Sequence, residues 1–321
     1  MSILEHVSDE FTRQAESYRR ELLAHCYRMT GSAQDAEDLV QETYLRAWRA
    51  HEGFEGRSSL RTWLYRIATN ACLNALRQKE RRALPSGLGT ESASLDDPEA
   101  GTSAAWLEPL PDLAPEVGDP ADIAAARAGV RLALVASLQL LPPRQRAVLI
   151  MRDVLAWPAA DVARALELSV VAVKSLLQRA RSRLAAVAPD MDDVLEPDHP
   201  KARALLDGYM RAFENADAAE FERLLRADAV LEVVPGGTWF DGKRDCVALL
   251  VRHVTLAAGD WLTVPTVANG QPAFAGYLRA PDGGHQGYGL GVLTVTETGI
   301  AKVSVFEGVG HLIRFGLPTA R

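Results

Sequence analysis

Only three of the 321 residues are cysteines: Cys26, Cys72 and Cys246. They stand far apart and form no CxxC or HxxxC spacing. A disulfide framework and a zinc site are therefore not expected, and a reducing cytosol fits. No apolar run approaches ~18 residues, so no membrane span is expected. The opening Met1-Ser2-Ile3-Leu4-Glu5-His6 has neither a basic flank nor an apolar core, so no secretory signal is expected either. Lysine is scarce, five against thirty arginines. What remains is ordinary for globular protein: 48% hydrophobic and 24% charged residues, in a length that suggests two or three domains.

The net charge of −7 conceals blocks of opposite sign. Residues 1–82 are net +1, but 57–82 within them hold seven basic groups against the single acid Glu80. Residues 83–126 have nine acids and no Lys or Arg. Residues 127–184 are net +7, 185–199 are net −5, and 200–321 are net −1. Two basic modules flanked by acidic segments suggest polyanion binding with built-in competitors.

Segment 83–126 also carries Pro85, Pro98, Pro109, Pro111, Pro115 and Pro120. It reads as a flexible acidic linker. Within it Trp106-Leu107-Glu108-Pro109-Leu110-Pro111-Asp112 is an apolar island, which suggests docking. The chain before the linker has helical periodicity. One helix carries Tyr18, Leu22, Leu23, Cys26 and Tyr27. A second follows a Ser32 cap, and a third a Ser59 cap with Leu60, Trp63, Leu64, Ile67 and Ala71 along it. After the linker, helices are expected over Asp122–Leu140, Arg144–Leu155, Ala159–Leu166 and Ser169–Leu184. From 199 onward two helices (about 200–226) give way to strands at Ala229–Val234, Leu262–Val267, Ala273–Leu278, Tyr288–Thr296 and Ile300–Phe306, with a helix at Arg244–Val254. That order indicates an α+β module.

Val162 to Val173 has helix-turn-helix spacing, with small Ala163 at the helix crossing and Val173 packed behind the second helix. Ser169, Val170, Ala172, Lys174, Ser175 and Gln178 would face a DNA groove, and Arg179, Arg181 and Arg183 suit phosphates. Glu167 occupies the turn position where a left-handed residue, usually Gly, is needed.

Leu141-Pro-Pro-Arg-Gln-Arg-Ala-Val-Leu149 before this motif resembles region 4 of sigma-70-family transcription initiation factors. Asp35-Ala-Glu-Asp-Leu-Val-Gln-Glu-Thr43 resembles region 2.2, and Phe54–Arg77 resembles regions 2.3–2.4 of the extracytoplasmic-function (ECF) group. Leu206–Glu214 and Leu224–Glu232 resemble a SnoaL-like domain, the α+β cone carried by one ECF subgroup. The resemblance implies two all-α sigma domains, a helical bundle and a helix-turn-helix, followed by a cone with a curved, mostly antiparallel sheet. It implies the domains 1–82 (region 2), 83–126 (linker), 127–188 (region 4) and 199–321 (SnoaL-like).

The implied activity is promoter recognition for RNA polymerase core, in the cytoplasm, without catalytic residue, metal or cofactor. Asp35, Asp38, Leu39, Gln41, Glu42 and Thr43 would meet the β′ clamp helices, and region 4 would meet the β flap. Arg57, Arg61, Trp63, Arg66, Asn70, Asn74 and Arg77 would bind the −10 element, with Trp63 and Ile67 weighted toward the core rather than base stacking. Asn74 stands where many relatives have Asp. Ser169, Val170, Ala172, Lys174, Ser175, Gln178, Arg179 and Arg181 would read the −35 element of promoter DNA. Trp106, Leu107 and Pro109, together with Asp282, Gly283 and Gly284, would form an intramolecular regulatory contact with the C-terminal domain. The apolar tail after Phe306 would join it. The sequence carries no sign either way of a separate anti-sigma factor.

Two other classes are compatible with the sequence: a DNA-binding regulator that does not engage polymerase, and a SnoaL-like enzyme with a DNA-binding address. For the latter the candidate groups are Glu232, Asp241, His253, His285, Glu307 and His311, with Trp239 and Tyr277 as walls.

Overall fold

The computed structural model describes residues 11, 13–54, 56, 58–77, 82–87, 105–113, 120–186, 193–254 and 257–321. They form two compact units that do not follow chain order. One unit joins residues 1–82 to 133–188; the other joins 83–132 to 189–321.

The first unit is all helical. Helices α1 (Arg19–Thr30), α2 (Ala33–Ala50) and α3 (Leu60–Ala75) form a bundle. Gly31 ends α1 in the left-handed conformation, and the Ser32 hydroxyl then accepts the amide of Asp35 to start α2. Ser59 caps α3 in the same way through the amide of Thr62. Leu22, Cys26, Tyr27, Val40, Leu64, Ala68 and Cys72 fill the interior.

The later helices of this unit are α6 (Pro143–Leu149), α7 (Ala159–Leu166) and α8 (Val170–Ala185), preceded by most of α5 (Leu132–Gln139). A π-helical turn, Ile150–Val154, extends α6. Glu167 does take the left-handed conformation between α7 and α8, at φ +54°. The helix-turn-helix packs on the first bundle. Buried Arg146 donates to Gln139 Oε1 at 2.5 Å, to Leu141 O at 3.1 Å and to Met29 O of α1. Gln139 Nε2 donates to Arg28 O at 3.2 Å, and the Tyr65 ring meets the edge of Trp157 at 6.0 Å.

The second unit is built on one six-stranded sheet in the order β2-β1-β6-β5-β4-β3. The strands are β1 (Leu225–Val234), β2 (Thr238–Asp241), β3 (Trp261–Ala268), β4 (Gln271–Arg279), β5 (His285–Thr296) and β6 (Gly299–Glu307). Only the β1–β6 pair is parallel. Helices α9 (Pro200–Asn215), α10 (Ala218–Leu224) and α11 (Lys243–Leu249) cover one face through Tyr209, Phe213, Phe221, Phe240 and Phe274. On the other face, Leu312 of α12 (Val309–Arg314) packs on Ala275, Tyr277 and Leu290.

Two sequence expectations need correction. Asp122–Leu140 is not one helix: α4 (Pro120–Ala128) and α5 are separated at Gly129–Arg131. The break is held by outside partners. Asn269 Nδ2 donates to Val130 O at 2.8 Å, and the Leu132 amide donates to Gln271 Oε1 at 3.1 Å. Nor are the described parts of 83–126 a free linker, because they are laid on the sheet. Leu107 and Leu110 are buried, Trp106 is nearly so, and Leu107 N donates to Ala83 O at 2.9 Å. Residues 88–104 and 114–119 of that segment lie outside the described residues.

Candidate functional site

The acidic helix α2 sorts its expected contacts by depth. Leu39 and Thr43 are buried, with the Thr43 hydroxyl donating to Leu39 O at 2.7 Å. They are core residues and leave no side chain for a partner, which corrects their place in the proposed polymerase contact. Asp35 is not unpaired either: Arg82 Nη2 lies 3.2 Å from its carboxylate. Glu42 pairs with Arg46 at 2.6 Å one turn along. Asp38 and Gln41 are exposed. The helical repeat continues their stripe through Leu45 and Trp48, which are 58% and 41% exposed. These two apolar residues were missed. Their signal was present as i+4 and i+7 from Gln41, on a face whose other members are polar.

Arg66, Asn70 and Asn74 of α3, with Arg77 in the turn just past its end, fall at i, i+4, i+8 and i+11, with Arg66, Asn74 and Arg77 exposed and Asn70 partly so. Trp63 is buried, tilted against Phe54 at 4.8 Å, so it is a core ring. Arg61 is held by Glu21 at 2.6 Å and lies 5.1 Å over the Tyr65 ring. Arg57 lies outside the described residues. Two clefts of about 490 Å³ each border the α3 stripe within this unit. One lies between Asn70, Asn74, Arg77 and Arg144 with Leu166–Leu168; the other runs from Ser59 and Arg66 to Asp161 and Arg164. The α3 stripe thus faces the turn of the helix-turn-helix.

Helix α8 presents Lys174, Ser175, Gln178 and Arg179 to solvent, with Val173, Leu177 and Ala180 buried behind them. Ser169 spends its hydroxyl on the cap, accepting the Ala172 amide at 3.1 Å. Val170 is exposed and Ala172 partly so; Val171, at 76% exposure, was not anticipated. Arg181 is engaged by Asp153 at 2.6 Å, so the Arg179–Arg183 run is not free of acids as its sequence suggested. Hydrogen bonding to Asp153 raises the Arg181 pKa, so it stays cationic.

In the second unit, Asp282–Gly284 is the turn after β4, closed by Gly284 N on Asp282 Oδ1 at 3.1 Å and by Ala280 N on Gly284 O at 2.7 Å. The connector, meaning the described part of residues 83–132, meets the opposite end of β4, at Asn269-Gly270. Asn269 Oδ1 accepts Leu110 N at 2.9 Å, and its amide donates to Leu110 O at 2.8 Å. Pro109 and Leu110 flank that register, and Glu108 reaches Arg314 of α12 at 3.4 Å. The island Trp106–Asp112 is thus held at Leu110 by Asn269 and at Glu108 by Arg314.

Of the enzyme candidates, Glu232 is wholly buried in a network that also holds the connector. Its carboxylate takes Ser304 Oγ at 2.6 Å, Lys302 Nζ at 3.0 Å and Ser86 Oγ at 2.8 Å. Asp241 is exposed. His285 pairs through its backbone with Arg321, and burial lowers the His311 pKa beside Phe306. Tyr277 is buried under Arg321 at 5.6 Å. The His253 side chain lies outside the described residues. Among the described side chains of this set, Glu307 borders a cavity of the domain and Trp239 does not.

A basic helix-turn-helix joined to a bundle with a polar, partly basic helical stripe, plus a SnoaL-like α+β cone, defines a two-region transcription initiation factor with an appended domain. Comparison with known proteins agrees. Residues 15–82 match the Sigma-70 region 2 family and 131–184 match Sigma-70, region 4. The chain is 50% identical over 315 residues to the ECF RNA polymerase sigma factor SigG of Mycobacterium tuberculosis H37Rv, covering 96% of this chain and 84% of that one. It is 29% identical over 180 residues to SigW of Bacillus subtilis 168, covering 55% of this chain and 87% of that one. The crystal structure of M. tuberculosis SigJ shares the fold with a TM-score of 0.60, at 20% identity, over 96% of this chain and 99% of that one.

The chain belongs to the ECF RNA polymerase sigma factors of the sigma-70 family. It is therefore a transcription initiation factor that works with RNA polymerase core and promoter DNA.

Proposed function

We propose that Asp38, Gln41 and Leu45 of α2 form the polymerase contact, that Arg66, Asn70 and Asn74 of α3 with Arg77 just past its end receive the −10 element, and that Lys174, Ser175, Gln178 and Arg179 of α8 read the −35 element. The polymerase contact falls on the β′ clamp helices, with region 4 on the β flap. The C-terminal domain acts as a restraint and not as a catalyst: it holds the connector between the two sigma regions. One observation carries this reading. The connector is anchored at both ends on one sheet, at Ser86 by Glu232 of β1 and at Leu132 by Gln271 of β4. Asn269 fastens its middle at Leu110 and Val130. A connector fixed in this way has little of the reach that its length would give a flexible chain. Release of these contacts gives region 4 room to leave the α3 stripe.

The polymerase face has a direct test. Asp38→Arg with Leu45→Glu reverses a charge and puts another on the exposed stripe, where neither side chain is buried. Co-purification with core polymerase is expected to be lost while far-ultraviolet circular dichroism is unchanged. Binding equal to wild type would remove α2 from the interface.

Promoter reading is tested on α8. Lys174→Ala is expected to weaken −35 duplex binding by about 1–3 kcal/mol if the ammonium contacts a base. A phosphate contact would instead weaken all sequences alike and lower the salt slope by about one. No change in either measurement would mean that another part of α8 faces the DNA.

A further inference from the structure

Val171 is 76% exposed, the most of any large apolar residue among those described. A lone exposed aliphatic side chain needs no explanation. The place of this one on α8 supplies a role. Counting from Val171, Lys174, Ser175 and Gln178 fall at i+3, i+4 and i+7, and all three are exposed. Val170 is 39% exposed, but its own i+3 and i+7 neighbours, Val173 and Leu177, are buried. Val171 therefore stands in one row with the polar groups of α8, and Val170 lies toward the edge of that row.

The surroundings of the row are cationic. Val170–Ala185 contains no Asp or Glu, and residues 127–184 are net +7. Such a surface complements a polyanion. In the major groove of DNA the base edges present donors and acceptors, with one apolar group among them, the thymine C5-methyl. Valine has neither a donor nor an acceptor to offer. Against thymine it covers a methyl. Against any other edge it strips water from a polar atom and returns no hydrogen bond. The same side chain thus attracts one base and penalises the rest.

Resting on α8 as the reader of the −35 element, we infer that Val171 is a specificity-determining residue that packs on the C5-methyl of a thymine in that element. Lys174 lies three residues on, about 4.5 Å along the helix axis. That distance is one to two base-pair steps of about 3.4 Å. A lysine ammonium suits the O6 and N7 atoms of guanine. The element that α8 reads therefore combines a thymine, on either strand, with a guanine one or two base pairs away.

The test uses holoenzyme assembled from the full chain and core polymerase. Selection from promoter-length duplexes randomised at both elements supplies the preferred −35 element. Each thymine in it is then replaced in turn by deoxyuridine, which removes only the methyl. At one thymine the replacement is expected to weaken binding about fourfold, the effect of leaving one methyl-sized group unburied. Val171→Ala should make the thymine and deoxyuridine duplexes bind alike, and Val171→Ile should retain the preference. Lys174→Ala should weaken both duplexes and keep their ratio. A preferred element without thymine, equal binding of every thymine and deoxyuridine pair by wild type, or a ratio that survives Val171→Ala would each overturn the inference. If Val171→Ala instead loses core polymerase with the ratio intact, the valine covers a protein contact and the inference falls. Weaker binding by Lys174→Ala without any methyl sensitivity overturns the assignment of Val171 alone. No effect of Lys174→Ala together with no methyl sensitivity removes α8 from the −35 element altogether.

Discussion

Gly270→Ala is expected to detach the connector from the sheet domain. Asn269 and Gly270 both have positive φ, +55° and +63°, and form the two-residue turn between β3 and β4. That is the geometry Asn-Gly serves in a hairpin of the mirror-image type I class. An alanine there would carry a left-handed penalty of about 1–2 kcal/mol. The larger cost is contact. Its Cβ would lie 2.5 Å from Arg127 Cβ, 2.7 Å from Arg127 Cα and 2.8 Å from Arg127 O. Those atoms belong to α4, so no rotamer change relieves the clash.

Arg127 is also the hub for Asp112 at 3.2 Å and Asp198 at 3.0 Å, so moving it loosens a network. Hydrogen exchange should show protection lost at the Leu107, Leu110 and Leu132 amides, and Trp106 emission should shift to the red. Gly283→Ala supplies the control. Gly283 has φ +91° but open space around its Cβ position, so it carries the strain without the clash. Equal loss of protection in the two variants would show that the close approach of Arg127 is not what matters.

The second large effect is acid sensitivity of the helical unit. His25 is wholly buried between α1 and α3, its Nε2 2.9 Å from Thr69 Oγ1 and its ring edge-on to Tyr65 at 5.2 Å. Burial, with Arg28 adding to it, lowers its pKa from 6.5 to about 3. Between those values the unfolded chain takes up a proton that the folded chain refuses. Stability is therefore complete above the unfolded pKa and falls as pH drops toward the folded one, by about 1.4 kcal/mol per pH unit. Over the whole window this is about 4–5 kcal/mol. His25→Gln keeps a hydrogen-bonding group and cannot titrate. It should flatten the decline between pH 6.5 and 4 in urea titrations followed by exchange of the α1 and α3 amides. An unchanged acid limb would assign the decline to other groups.

How much of this was readable from the sequence depended on the range of the interaction. The caps at Ser32, Ser59 and Ser169 are local, each a hydroxyl accepting an amide three residues on; the sequence placed the first two, and Ser169 was read as a DNA-facing residue instead. The left-handed Glu167 was legible for the same reason. The break at Gly129–Arg131 was not, because its backbone partners, Asn269 and Gln271, are 139 residues away. The Asn269-Gly270 pair was a local signal that was overlooked, and it would have joined β3 to β4 without help from the structure. Leu39 and Thr43 were assigned to a surface because the motif groups them with Asp35–Glu42. The 3.6-residue repeat turns them inward and brings Leu45 and Trp48 out instead. Strand β2 and helix α12 are short, four and six residues, and packing rather than periodicity selects them.

The central claim is that the C-terminal domain restrains the sigma regions through the connector. Run-off transcription with purified core polymerase on one cognate promoter tests it most directly, comparing the full chain with Gly270→Ala and the Gly283→Ala control. Gly270→Ala is expected to give at least severalfold more transcript than the full chain at equal core occupancy, and Gly283→Ala to match the full chain. Equal transcript from Gly270→Ala and wild type, with connector protection shown to be lost, would contradict it.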